Sequence, residues 1–338
     1  MKKVRLQDIA DRMGISVVTV SNAVSGRSGV SSQLRADIVK MAEELGYQTQ
    51  KRKKTEQSSR GKQIGVIVPA KFLEIEGSFY WDLYQELVCE IAKCQNYAVL
   101  EMISNEMLEK KEVPGLITDG QADGIIVMGD LGLENALQIE QQCKKPIVFI
   151  DYFDEALKSD CVQFNNYMGM YEVVKYVLEM GHTKIAYVGN IYATDSIFDR
   201  YMGTLRATVS RRVPMKKEWL ISDRDGKTGQ MHIELPEELP TVFVCNSDFT
   251  AGILKEELLR KGIKVPEDVS VTGFDNYQSG DSFLKELTTY DVNKKQMAIE
   301  AVQMMQTRMN QNTEEQKQNR KTIHVDGKLL IRDSVKRI

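Results

Sequence analysis

The sequence predicts an α/β protein: a small all-helical head on a body of parallel sheets covered by helices. Three observations predict it. The first 62 residues hold 13 Lys or Arg against 6 Asp or Glu, a net of +7. The whole 338-residue chain carries −3, which leaves the other 276 residues at −10. Inside the basic head, apolar residues recur at helical spacing and are interrupted by a glycine where a turn would fall. From Gln63 onward, short apolar runs alternate with amphipathic stretches.

Composition narrows the classes. With 42% hydrophobic and 28% charged residues the chain reads as soluble and globular, long enough for two or three domains with real cores. Its longest apolar runs, at 64–69 and 146–150, are strand-length, far below the roughly 20 residues that cross a bilayer. Met1-Lys2-Lys3-Val4-Arg5 is followed by Asp8 and Asp11, which is no secretory signal. Five cysteines (Cys89, Cys94, Cys143, Cys161, Cys245) lack zinc-ligand spacing and suit reduced thiols in the cytoplasm. With three histidines, neither a metal centre nor a cofactor is expected, and His182 reads as structural.

In the head, Leu6, Ile9, Ala10 and Met13 share one helical face. Gly14 permits a sharp stop, Ile15 fills the turn, and Ser16 can cap a second helix, 17–24, with Val20 and Val24 facing inward. A Gly-rich loop at 26–29 precedes a third helix, 32–45, that Gly46 ends. A short helix, a tight turn and a second helix have the spacing of a helix-turn-helix, whose second helix enters the DNA major groove. That helix exposes Val17, Val18, Ser21 and Asn22 behind Ser16. The valines suit thymine methyls, Asn22 an adenine edge, and Ser16, Thr19, Ser21 and Ser31 are candidate phosphate ligands. The alternative is a plain three-helix bundle whose hydroxyls serve as caps.

In the body, strands are expected at 64–69, 98–103, 124–128, 147–150, 184–188, 242–245 and 269–274. Helices are expected at about 79–94, 132–143, 168–180, 200–210, 248–262 and 294–309. This alternation fits one large sheet, an eight-stranded barrel or two doubly wound lobes. It carries no GxGxxG, no GxxxxGK, no GxSxG and no HExxH, so no enzyme is expected. Three consecutive aromatics, Phe79-Tyr80-Trp81, cannot all face one core, so at least one should stack on a ligand. Asp151, at a strand tip, is a natural acceptor, with Asp223 and Arg224 as weaker candidates.

Residues 3–47 are similar, without gaps, to the headpiece of the LacI/GalR family of transcriptional regulators. The similarity runs through Leu6-Gln7-Asp8-Ile9-Ala10, Gly14-Ile15-Ser16, Thr19-Val20-Ser21 and Glu43-Glu44-Leu45-Gly46-Tyr47. Arg5 and Asn22 depart from its pattern. The resemblance continues through Gly181-His182-Thr183-Lys184-Ile185-Ala186, Asp199-Arg200-Tyr201-Met202-Gly203, Val265-Pro266-Glu267-Asp268 with Val271-Thr272-Gly273-Phe274-Asp275, and the closing Arg332-Asp333-Ser334. It implies a helix-turn-helix headpiece at 1–47, a linker at 48–62 and a two-lobed periplasmic-binding-protein-like domain with doubly wound parallel sheets at 63–338. The lobes would be about 63–162 with 291–322, and 163–290 with 323–338. It further implies that Phe79 and Tyr80 face an effector, that Arg200 and Asp275 hold it, and that Asn246 and Asp248 contribute, Ser247 standing where the family places its binding Asn.

The function so implied is a repressor of carbohydrate-metabolism genes. A homodimer would bind a pseudo-palindromic double-stranded DNA operator, under a small effector of which a carbohydrate is the first candidate and a nucleobase the second. Some family members instead answer to a phosphorylated carrier protein. A solute-binding transport protein, the main rival, needs a signal peptide and no DNA-reading head. The family's hinge inserts a Leu into the minor groove, but this chain has no Leu between Leu45 and Ile64. Lys51, Arg52, Lys53 and Lys54 are therefore expected to neutralise phosphates instead. Replacing the four by Gln should flatten the slope of log affinity for DNA against log salt by about 3; a slope unchanged within error rejects that role.

Overall fold

The computed structural model describes residues 6–24, 30–45, 61–74, 79–226, 228–277, 282–311 and 320–338. The loop at 26–29, Gly46 and the basic cluster at 51–54 lie outside them, as does the side chain of Val24. Two compact units divide the chain, residues 1–61 and 62–338.

The head has three helices, α1 (Leu6–Met13), α2 (Val17–Val24) and α3 (Ser32–Glu44). Ile9 and Ala10, Val20 and Ala23, and Ile38 and Ala42 form its core, two from each helix. Gly14 turns the chain at φ +66°, and the Ile15 amide closes the turn on the Ala10 carbonyl at 3.1 Å. Ser16 Oγ then accepts from the Thr19 amide at 3.1 Å and caps α2. Sequence reading missed Arg35 of α3, which donates to the carbonyls of Asn22 (3.2 Å) and Ala23 (2.9 Å) and so satisfies the C-terminal end of α2.

The body carries two parallel sheets. Its elements run β1 (Gln63–Pro69), α4 (Phe79–Lys93), β2 (Tyr97–Ile103), α5 (Asn105–Lys110), α6 (Gly115–Thr118), β3 (Gly124–Met128), α7 (Leu133–Gln142), β4 (Ile147–Ile150) and β5 (Asp160–Phe164). They continue with α8 (Asn166–Glu179), β6 (Ile185–Val188), α9 (Asp195–Ser210), β7 (Leu220–Ile221), β8 (Val242–Cys245), α10 (Asp248–Arg260) and β9 (Ser270–Thr272). The chain closes with α11 (Ser282–Glu286), β10 (Thr289–Asp291), α12 (Lys294–Asn310), β11 (Thr322–Val325) and β12 (Lys328–Leu330). The first sheet has the order β11-β5-β4-β3-β1-β2 and the second β7-β6-β8-β9, with every neighbouring pair parallel. A doubly wound pair of lobes, rather than one sheet or a barrel, is thus the outcome. Strands buried on both faces explain the continuous apolar runs: all five residues of β3 and all four of β4, β6 and β8 are buried.

The chain crosses between lobes three times. It does so from β5 into α8, from β10 into α12, and from β11 into β12, and β10 and β12 pair antiparallel where they cross. The first sheet keeps Gln163 and Phe164 and pairs them with His324 and Val325, so two crossings fall two or three residues later than the resemblance implies. The link from β7 to β8 contains no helix among its described residues. Trp219, Ile233, Leu235 and Leu239 instead cover that side of the second sheet.

One ion pair locks the first lobe. Arg308 of α12 donates from Nε and Nη2 to the two Asp160 oxygens at 2.7 Å each, with Asp160 98% buried, and Asp160 also accepts the Lys321 amide at 2.9 Å. Removing one partner strands a buried charge. Asp160→Ala should therefore cost about 3–5 kcal/mol in urea unfolding, and a loss under 1 kcal/mol would assign the pair no structural role.

Candidate effector cleft and DNA-reading head

In α/β sheets the crevice forms beyond the strand C-termini, where the strand order reverses. Here that point lies between β1 and β3 in the first lobe and between β6 and β8 in the second. Gly129, at φ +83° just past β3, leaves room for Phe72 and Tyr80, whose rings a Cβ would meet at 2.6 and 3.2 Å. Phe72 and Tyr80 stack with centroids 4.3 Å apart. Phe79 meets Tyr80 edge-on at 5.1 Å and Phe164 at 5.4 Å. Together these rings make an aromatic wall at the mouth of the first lobe.

Beside the wall, the Tyr80 hydroxyl donates to Asp151 Oδ2 at 2.7 Å. Asp151 follows β4 at φ +55°, a left-handed conformation that a non-glycine residue adopts at some cost in energy. Burial pushes its carboxyl up to about 6, aided by the charges of Asp275 and Asp130 and opposed by Tyr80 and Arg200. Burial likewise raises the Tyr80 phenol well above its usual value. The charges of Asp275 and Arg200, from the second lobe, also act on this phenol, the first raising it and the second lowering it.

Arg200 of α9, 93% buried, supplies the second lobe's centre. Its Nε donates to Asn166 Oδ1 at 2.8 Å, Nη1 to the Asn246 carbonyl at 2.7 Å, and Nη2 stands 3.0 Å from Asp275 Oδ1. The guanidinium lies 4.1 Å over the Phe274 ring. Asp275, like Asp151, sits past a strand at positive φ, +97°. Its Oδ1 is buried and takes part in no hydrogen bond, so the approach of Arg200 is an ionic contact off hydrogen-bond geometry.

Several expected residues have other roles. Asn246 is buried and spends its side-chain amide on the Val188 carbonyl (3.1 Å), Asp223 Oδ2 (2.7 Å) and Thr250 Oγ1 (3.2 Å); only its carbonyl serves the site, through Arg200. Asp248 is fully buried beneath the Asp275 loop, accepting from Thr289 Oγ1 at 2.6 Å and the Tyr277 amide at 2.8 Å. Burial pushes its carboxyl up to about 8. Both therefore hold the cleft's loops rather than line it, because a polar residue just past a strand can satisfy either a ligand or a loop. Trp81, one helical step beyond Tyr80, lies along Tyr84 with centroids 6.1 Å apart and not with the aromatic wall. Ser247 caps α10 through the Thr250 amide at 3.1 Å.

Asp223 proves to be a buried junction. It accepts from the Asn190 amide (3.0 Å), Asn246 (2.7 Å), Thr250 (3.1 Å) and both arms of Arg224 (2.9 Å each). Burial would raise its carboxyl, but these donors, Arg224 foremost, hold it below the usual range. Asn166, Phe72 and Phe164 carried no sequence signal for the site. His182 bonds to Thr241 Oγ1 (2.9 Å) and the Lys336 carbonyl (3.0 Å), a structural role. Among the described residues no His, Cys, Asp and Glu group could hold a metal, and no helix is long and apolar enough to cross a membrane.

A cavity of about 310 Å³ opens between the loops after β3 and β6, lined by Asp130, Leu133, Tyr152, Tyr192, Asp195 and Phe198. A larger one, about 920 Å³, lies at the β7–β8 link and takes in Arg224 alone of the expected residues; its Lys216 is paired to Glu238.

On the head, Val18 is 68% exposed and Ser16 and Ser31 are exposed, while Thr19, Ser21 and Asn22 are half-buried. Val17 departs from expectation: it is half-buried against the head's core, since its position one turn before Val20 turns it partly inward. Ser16 and Thr19 share one hydroxyl bond at 2.8 Å, so one hydroxyl proton of the pair remains free to donate to a phosphate while the cap persists. The helix has no Lys or Arg, so phosphate neutralisation falls to other segments.

A helix-turn-helix head followed by a two-lobed α/β body with a polar cleft defines the class of ligand-responsive DNA-binding regulators. The sequence profile of bacterial regulatory proteins of the lacI family matches residues 5–50, and that of the periplasmic binding protein-like domain matches residues 174–335. Residues 5–50 thus carry the DNA-binding domain of the lacI family and residues 174–335 a periplasmic-binding-protein-like domain, and the chain is a DNA-binding transcriptional regulator. The HTH-type transcriptional repressor PurR of Pasteurella multocida is 27% identical over 98% of each chain, and that of Histophilus somni strain 129Pt 26% over 98% of each. The lac repressor dimer bound to operator and the anti-inducer ONPF superposes with a TM-score of 0.65 at 19% identity, over 99% of this chain and 100% of its own. A LacI family transcriptional regulator from Enterococcus faecium with bound ribose gives a TM-score of 0.66 at 19% identity, over 82% of this chain and 100% of its own.

Asp151 yields a prediction with a definite sign. A carboxyl raised in the folded state from about 3.9 to about 6 adds stability below pH 4 that disappears as pH climbs through 6. Asn keeps an acceptor for Tyr80 and tolerates positive φ. Asp151→Asn should thus stabilise the unliganded protein at pH 8 relative to pH 4, by on the order of 3 kcal/mol. Thermal melts at the two pH values check it, and an equal effect at both would contradict the raised carboxyl.

Proposed function

We propose that the chain is a repressor that binds a pseudo-palindromic operator as a homodimer and alters its grip on DNA when a small polar ring enters the cleft between its lobes. The observation that carries this reading is the meeting of Tyr80 and Asp151 from one lobe with Arg200 and Asp275 from the other at the strand C-termini. A ring stacked on the aromatic wall and donating hydroxyls to the two carboxylates would bind the closed arrangement better than an open one. That difference in affinity is what a ligand needs to shift a conformational equilibrium.

A carbohydrate is the favoured effector class. The paired acceptors suit hydroxyl donors, and regulators of this fold hold ribose and, in CelR, cellobiose. The flat Phe72–Tyr80 stack favours a nucleobase as the second reading. Repression is supported by the names of the relatives, and dimerisation by the lac repressor dimer on its operator. Two helix-turn-helix heads reading two half-sites explain why a dimer is required. Such a protein works where the DNA is, in the bacterial cytoplasm.

In the head, Val18 faces a thymine methyl, Asn22 reads a base, and Ser16, Thr19, Ser21 and Ser31 bind phosphates, with Val17 reinforcing α2 from beneath. Fluorescence anisotropy with an operator selected from random DNA tests both halves. Asn22→Ala should lose about 1–3 kcal/mol on that operator and little on unrelated DNA, and saturating sugar should change operator affinity. Equal losses on every sequence would move Asn22 to the backbone, and indifference to all sugars and nucleobases would remove the small effector.

A further inference from the structure

We propose, resting on the effector reading above, that the effector is a cation: an amino-substituted ring whose protonated amine is received between the carboxylates of Asp151 and Asp275. The argument begins with Arg200, whose charge is spent within the protein. Its three nitrogens are directed at Asn166, the Asn246 carbonyl and Asp275, and its face is covered by Phe274. With its side chain only 9% exposed, it is not presented for binding a phosphate or carboxylate.

The acceptors around it are left over. Asp275 Oδ1 is buried, lacks a hydrogen bond, and needs a donor in better geometry than Arg200 provides. Asp151 accepts the Tyr80 hydroxyl's hydrogen bond on Oδ2, and the charges of Asp275 and Asp130 both act on it. The adjoining cavity brings Asp130 and Asp195, whose charges together with that of Asp154 reach Tyr152. Two other cations stand at the aromatic wall: Lys71, exposed to solvent, 5.0 Å from the Phe72 centroid, and Lys294, 5.5 Å from the Phe79 centroid, which is paired with Asp82 at 3.2 Å.

The ligand space therefore holds more carboxylates than cations, beside electron-rich ring faces. An anion would be repelled. A neutral polyol would supply donors but leave the Asp151 charge uncompensated. An ammonium supplies three N–H donors in a compact head, compensates Asp151, offers Asp275 a donor in better geometry than Arg200, and gains from the aromatic faces.

The test uses the full chain and matched triplets: glucosamine, glucose and glucose 6-phosphate, with the corresponding galactose and mannose sets, by isothermal titration at pH 7. At least one amino sugar should bind about tenfold or more tightly than its neutral partner, the gain expected of a charge-assisted hydrogen bond, and the phosphates should not bind. Asp275→Asn should bring that amino–neutral ratio to about threefold or less, and Asp151→Asn, which keeps the Tyr80 bond, should do the same. Neutral or phosphorylated members binding as tightly as the amino sugars would overturn the cationic effector while leaving a sugar-responsive regulator in place. Binding by no member of any set would overturn it together with the carbohydrate reading.

Discussion

The buried guanidinium of Arg200 is the constraint around which the second lobe's binding edge is organised. A cation removed from water is tolerated only when its donors are matched, because the desolvation penalty is otherwise several kcal/mol. Meeting that demand draws together the start of α8 through Asn166, the end of β8 through the Asn246 carbonyl, and the loop after β9 through Phe274 and Asp275. Asp223 performs the complementary task with a buried anion, collecting donors from the ends of β6, β7 and β8 and from α10. Asp248 then fixes the Asp275 loop from beneath. A strand-end edge tied by three such polar junctions is set before any ligand arrives, which reduces the ordering cost of binding.

This arrangement also reaches the crossing strands. Phe274, under the guanidinium, stacks on Tyr290 of β10 at 5.1 Å, and the Tyr290 hydroxyl accepts from the Gly327 amide at 2.9 Å in the connection between β11 and β12. Asn165 and Asp326, on two of the crossings, are joined at 2.8 Å. A ligand pressing on Arg200 and Asp275 thus acts one ring away from the segments that must bend if the lobes move. Contact of this kind is the physical requirement for coupling cleft occupancy to lobe closure.

Much of the fold was legible because the sequence obeys simple periods. The three head helices and the apolar strands β1, β3, β4 and β8 stand out as helical spacing and uninterrupted apolar runs. The strands that sequence reading missed are short or polar: β5 reads Asp-Cys-Val-Gln-Phe, β11 Thr-Ile-His-Val, and β7 has two residues. Their identity depends on partners distant in sequence, so local pattern carries little of it. The same division holds in the cleft. Tyr80 and Asp151 were visible because an aromatic run at a helix start and a charge at a strand tip are conspicuous, whereas Arg200 and Asp275 were found through the family resemblance. Asn166, Phe72 and Phe164 were not, since each joins the site only through tertiary contact. The resemblance marked Asn246 and Asp248 as ligands, but a match in residue type carries no information on which way a side chain after a strand turns. Trp81 misled for a geometric reason: two steps along the helix turn its side chain about 200° from that of Phe79, and it lies along Tyr84 instead.

The unliganded cleft also holds energy that folding alone does not require. Asp151 and Asp275 both adopt positive φ, each at a cost of about 1–3 kcal/mol for a residue with a side chain. Asp151 is buried enough to resist ionisation, and the charge of Asp275 adds to that resistance. Structural residues could satisfy these loops more cheaply, as Asn or Gly would in a turn. Keeping two carboxylates in strained backbone at the strand ends of the two lobes makes sense where a ligand compensates them on entry. The compensation is then part of the binding energy and is available only in the arrangement that brings both carboxylates to the ligand. A ligand lacking the compensating donors could fill the same volume and stack on the same rings, yet release little of that energy and so favour the closed lobes less. Discrimination among effectors would in that way rest on charge and donor placement rather than on size.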